Sequence, residues 1–157
     1  MSSTGTLEGI LELGYAFRGA KALMSAVELG VFTALTEGPL NGEALRQRLG
    51  LAGRGARDFF DTLVALGLLN RDGTGRYSNA PGAALHLDPR KDSYVGGLFE
   101  KLTVLEYAHW GALTEALRTG RPQTGVEPFK HSGTRLRVPR CQGADERSGA
   151  RCLCCPH

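Results

Sequence analysis

Ahead of position 141 the sequence contains no cysteine, so most of the chain holds neither a disulfide scaffold nor the CxxC knuckles of structural zinc sites. Surplus charge is missing as well. Residues 1–130 balance basic against acidic side chains, and the formal net charge of +3 comes from five arginines set against Asp145 and Glu146 further on. A neutral body releases few counterions and makes a poor general nucleic-acid binder. No apolar run approaches the roughly 20 residues of a membrane span. The opening "MSSTGTLEGILELG" lacks a basic n-region, so the expectation is a cytoplasmic protein without a membrane partner. No internal repeat is visible.

What is present is enough for one ordinary domain. The 157 residues are 41% hydrophobic and 22% charged, and the 22 glycines fall mostly at the ends of periodic segments. Leu7, Ile10, Leu11 and Gly14 share one face of a short helix, and a longer helix is predicted over residues 15–35, stopped by Gly38-Pro39. Ala16, Ala20, Leu23, Val27, Val31 and Ala34 form its stripe, flanked by Phe17, Met24 and Leu35. Leu29, Phe32, Ala22 and Ala26 make its other sides apolar too, which predicts protein on more than one side of this helix.

Next, Asn41 caps and Gly50 closes a two-turn helix in "LNGEALRQRLGL". "GRGARDFFDTLVALG" reads as a second helix with inner face Ala56, Phe59, Leu63 and Leu66, Phe60 and Val64 beside it, and Gly67 after its end. "LLNRDGTGRYSNAPG" follows as a two-stranded ribbon turning at Asp72-Gly73 and Gly75. The fold class is therefore mainly α: a winged-helix-like order of helix, turn, helix and small β-ribbon between long flanking helices. "PGAALHLDPRKDS" reads as a polar connection. The last long helix is predicted over residues 94–118, with Leu98, Leu102, Leu105, His109, Leu113 and Leu117 in register and Gly120 with Pro122 at its end.

From about residue 129 the periodicity stops. The domain is set at residues 1–128, and residues 129–157 are expected to be an irregular, disordered tail. Cys141, Cys152, Cys154 and Cys155 lie there in a CxCC spacing that matches no zinc knuckle, with His157 last. No metal is expected. "DGTGR" and "GRGAR" contain GxG, yet neither sits between a buried strand and a helix, so neither qualifies as a nucleotide loop. His86 lies in a connection, His109 reads as a packed histidine, and no nucleophile–base constellation stands out. For DNA, the second helix would present Arg54, Arg57, Asp58, Asp61 and Ala65, whose charges cancel, and the ribbon would offer Arg71 and Arg76 around Asp72. Nucleic-acid binding thus ranks below an interaction role.

Three stretches carry a resemblance: "SAVELGVFTAL" (residues 25–35), "GARDFFDTLVALGLLNRDGTGRYSNAPGAALHLDP" (residues 55–89) and "YVGGLFEKL…HWGALTEALRTGRPQTG" (residues 94–125). Together they resemble the N-terminal dimerisation region of bacterial S-adenosylmethionine-dependent O-methyltransferases, akin to the plant small-molecule and acetylserotonin enzymes. The resemblance implies an intertwined homodimer with Leu7, Leu11, Phe17, Ala20, Leu23, Met24, Val27 and Val31 at the interface. It also implies a last helix that walls part of a substrate pocket, for which Phe99, Leu102, His109 and Trp110 are the candidates. In that family S-adenosylmethionine and the catalytic histidine belong to a following Rossmann-like domain, so no catalytic, cofactor or metal residue is assigned here. The change of composition at "KHSGTRLRVPRCQGADERSGARCLCCPH" is what wrong-frame reading of a GC-rich gene gives, and the expectation is a frameshifted or truncated gene. The chain is expected to be inactive alone and to pair with itself or with a full-length relative. The alternative is a small dimeric winged-helix transcriptional regulator.

Overall fold

The computed structural model describes residues 5–121, which fold as helices around a small antiparallel sheet. α1 (Leu7–Glu28) starts at Thr6, whose hydroxyl accepts from the Gly9 amide at 3.1 Å, with Glu8 in the first turn. It runs unbroken through Gly14, so the two expected helices are one; a single mid-helix glycine costs only about 1 kcal/mol and leaves the hydrogen bonds intact. The stop comes earlier than Gly38-Pro39. Gly30 adopts φ 71°, a left-handed conformation that only glycine enters without strain, and its amide turns back to the Val27 carbonyl. The chain then makes the single turn α2 (Val31–Ala34), which drives Val31, Phe32 and Leu35 into the core.

β1 (Leu40–Asn41) leads directly into α3 (Gly42–Arg48), where Asn41 Oδ1 accepts from the Ala44 amide at 2.8 Å. Arg46, bonded to Glu43, and then Gln47 hold the Glu43 carboxyl down at about 2. Asn41→Ala should remove about 1 kcal/mol of stability, within a range of roughly 0.5–2 for lost N-caps, measured as a lower urea midpoint at unchanged slope.

α4 (Ala56–Ala65) buries Ala56, Phe60 and Leu63. Phe59 is only half-buried and Leu66 is 44% exposed, so the inner face is rotated from the expected one. The reason is Tyr77: its ring meets that of Phe60 at 5.5 Å and draws Phe60 to the centre. β2 (Leu69–Arg71) and β3 (Arg76–Asn79) pair antiparallel, with Leu69 opposite Asn79 and Arg71 opposite Tyr77. β1 joins the free edge of β3, Leu40 opposite Tyr77, which makes a three-stranded sheet in the order β1-β3-β2 where two strands were expected. Asp72 Oδ1 accepts from the Thr74 and Arg76 amides and closes the ribbon turn.

α5 (Pro81–His86) is a helix where the sequence suggested a connection; Pro81 at its first position is pre-set for a helix start. Asp88 follows at 2% exposure and is bonded by Arg90 at 3.0 Å, which holds its carboxyl below the usual range. The expected single last helix is a chain of pieces: α6 (Gly96–Lys101), a π turn over Leu102–Glu106, α7 (Tyr107–Gly111) and α8 (Leu113–Thr119). Ala112, at φ −95° and ψ 6°, separates the last two. The centre of the fold is Val31, Phe32, Leu45, Phe60, Leu63, Leu69 and Tyr77, all essentially inaccessible to solvent. No helix among the described residues is long and apolar enough to cross a membrane.

Candidate self-association surface

The first half of α1 carries apolar side chains on two sides, and this protomer covers neither. Ile10, Leu13 and Phe17 follow one another at i, i+3 and i+7, and all three are more than half exposed. Leu7, Leu11 and Tyr15 form a second row at a spacing of four. Arg18 places its guanidinium 4.4 Å from the Tyr15 ring centre and 5.9 Å from that of Phe17. A soluble monomer rarely leaves a helix this apolar in water on both faces.

The residues expected at the interface separate along α1. Leu7, Leu11, Phe17 and Ala20 are exposed, whereas Leu23 and Met24 are half-buried. Val27 and Val31 are 9% and 0% exposed and belong to the protomer's own core, so of the expected interface residues the N-terminal ones are those left uncovered. The turn at Gly30 is the cause, because it folds Val31 inward and brings the end of α1 against α2 and α4. Ile10, Leu13 and Tyr15 are uncovered as well, although they were not among the residues expected at the interface.

A second uncovered apolar surface follows the end helices. Leu105, Glu106, His109, Trp110, Leu113 and Ala116 line an open cleft of about 280 Å³. Of the candidate pocket residues, His109 and Trp110 therefore sit together, whereas Phe99 packs against the core and Leu102 is half-buried outside the cleft. His109 Nδ1 lies 2.5 Å from the Leu105 carbonyl, so its ring is hydrogen-bonded as expected, but to its own helix, and it is exposed rather than packed.

The presumed DNA face is internally neutralised. Asp61 accepts from Arg71 at 3.3 Å, pairs with Arg57 at 3.7 Å, and receives the Tyr77 hydroxyl at 2.7 Å. Burial first, and Asp61 second, push the Tyr77 phenol up. Among the described residues no group of three His, Cys, Asp or Glu is placed to hold a metal, and the cysteines lie outside them. The three short strands are antiparallel, and the GxG pairs sit at the start of α4 and in the ribbon turn. This does not fit an adenosyl cofactor, which needs a glycine turn between a buried parallel strand and a helix.

The fold is mainly helical with a small three-stranded sheet, and the first half of α1 stays apolar and uncovered. The family described as the O-methyltransferase dimerisation domain matches residues 11–89, and this chain belongs to it. Among similar proteins, the tetracenomycin polyketide synthesis 8-O-methyl transferase of Streptomyces glaucescens is 53% identical over 114 residues, covering 73% of this chain and 34% of that protein. The N,N-dimethyltransferase OxyT of Streptomyces rimosus is 42% identical over 118 residues, again across 34% of its length. Human N-acetylserotonin methyltransferase, solved with S-adenosylmethionine, superposes with a TM-score of 0.66 at 28% identity, over 77% of this chain and 37% of that one. The chain thus spans about a third of the length of the relatives it matches.

Proposed function

We propose that this chain is the homodimerisation module of a small-molecule, natural-product O-methyltransferase, with S-adenosylmethionine bound and methyl transfer carried out by parts of the enzyme beyond residues 5–121. Its place of work is the cytoplasm. The observation that carries the reading is the first half of α1, apolar on two sides and uncovered, in a domain whose family is named for dimerisation. Leu7, Leu11, Phe17 and Ala20 form the seam together with Ile10, Leu13 and Tyr15, and Leu23 and Met24 lie at its margin. A two-fold axis lets one such patch cover its own copy. The same surface would accept a full-length relative. The cleft at His109 and Trp110 offers the wall of a substrate pocket. The regulator reading has less support, because Arg57 and Arg71 are already engaged by Asp61.

Light scattering tests the reading. The expected mass at micromolar concentration is twice the 16.8 kDa of the chain; a well-folded monomer at that concentration would refute it.

A further inference from the structure

The π turn at Leu102–Glu106 sits where the sequence favours an uninterrupted helix. A π turn takes one residue more than an α turn, is rare, and occurs mostly as a single turn inside an α-helix, frequently at functional sites. Here both sides are anchored. Upstream, Phe99 packs against the core, and Gly96 lets the Tyr94 ring lie on the backbone where a Cβ would collide. Tyr94 also bonds Glu100 at 3.2 Å, and burial first, then Glu100, push its phenol up to about 12. Downstream, the Tyr107 amide closes the wide turn onto the Leu102 carbonyl. Its ring lies 5.3 Å beneath the ammonium of Lys21 on α1.

Helix arithmetic says what the extra residue accomplishes. At about 100° per residue, eight regular α steps from Phe99 would leave Tyr107 about 80° away from the face that Phe99 presents to the core. With one residue absorbed by the π turn, the two rings differ by only about 20° and both reach the body of the protein. In a regular α-helix the residue in that place would be Glu106. Lys21 forms no ion pair among the described residues, so either neighbour suits it: the Tyr107 ring as a cation–π partner or the Glu106 carboxylate as an ion-pair partner.

We infer that the end helix has two registers, and that the π turn at Leu102–Glu106 is a one-residue switch between them, read out by Lys21 of α1. In the register seen, Tyr107 faces Lys21 while Glu106 and Trp110 line the cleft with His109. In the other, Glu106 pairs with Lys21, every residue beyond it turns by about 100°, and His109 takes the place of Trp110. The cleft then loses its carboxylate and its indole together. A molecule that stacks on Trp110 holds the π register, and one excluded by Glu106 favours the α register, so the occupancy of the cleft is coupled to the surroundings of Lys21 on α1.

Trp110 is the sole tryptophan, which makes its fluorescence in the full chain a direct reporter of register. Tyr107→Phe keeps a ring under Lys21 and should leave the emission maximum and acrylamide quenching at parental values. Tyr107→Ala should shift both. Deleting Val104 in the Tyr107→Ala background removes the extra residue from the turn, and should restore the parental emission with a parental far-ultraviolet circular dichroism spectrum. Parental emission in Tyr107→Ala, failure of the deletion to restore it, or loss of helical signal in the deletion chain would each overturn the inference.

Discussion

Phe60→Ala should lower the unfolding free energy by about 3–5 kcal/mol, the range for deleting a fully buried phenylalanine. Phe60 is 0% exposed and lies between the rings of Phe59, at 6.0 Å, and Tyr77, at 5.5 Å. The site is poorly able to collapse into the space left behind. Tyr77 is tied at its hydroxyl to Asp61 and in its backbone to strands on both sides, so its ring cannot follow the retreating α4 side chain. Leu45 and Leu63 are themselves 0% exposed and already fully packed. The loss then includes a cavity contribution beyond simple transfer, and the melting temperature should fall by roughly 6–40 °C at about 2–8 °C per kcal/mol. Urea unfolding of the two chains measures it, and a loss below about 1 kcal/mol would mean that the centre of the fold lies elsewhere.

Val27→Asp should unfold the protomer rather than release a folded monomer. The sequence alone places Val27 in the seam between subunits, where a charge must be desolvated or drive the helices apart and leave the chain monomeric, aggregated or partly unfolded. In the structure it is 9% exposed beside Ala26 and Val31, both at 0%. A carboxylate there lies among apolar core side chains, and its desolvation costs on the order of several kcal/mol, comparable with the whole stability of a small domain. Loss of the cooperative melting transition in circular dichroism is the expected result. A cooperatively folding Val27→Asp monomer would contradict the burial of α1's end.

The two substitutions mark where the sequence was legible. Asn41 as a cap, Gly67 and Gly120 as helix stops, and Asp72 as the closure of the ribbon turn all act within a few residues of their own position, and each is found in its expected role. Gly30 acts locally too, but it competes with Gly38-Pro39 as the stop for the same apolar stripe, and periodicity continues smoothly past it. Choosing between them decides whether Val31 faces a partner or the core. Phe59 and Phe60 present the same difficulty: adjacent and chemically identical, they are ranked only by contact with Tyr77, many residues away. The edge pairing of Leu40 with Tyr77 is equally non-local. Leu7, Leu11 and Phe17 are exposed and remain candidates for the surface, whereas Val27 and Val31 are buried in the protomer's own core. The π turn left no trace in the pattern, because Leu98, Leu102, Leu105 and His109 suit an unbroken helix equally well.

The central claim is that the uncovered first half of α1 pairs two copies of the chain, and sedimentation velocity on the parent and on the double variant Leu13→Asp/Phe17→Asp tests it most directly. Both side chains are more than half exposed, at 67% and 55%, and they sit four residues apart on one face, so aspartates there stay solvated in a lone protomer and repel across a two-fold seam. The account predicts a parental dimer and a variant that sediments as a monomer with the parental helical signal. A parent that is monomeric throughout the micromolar range, or a double variant that remains a dimer, would contradict it.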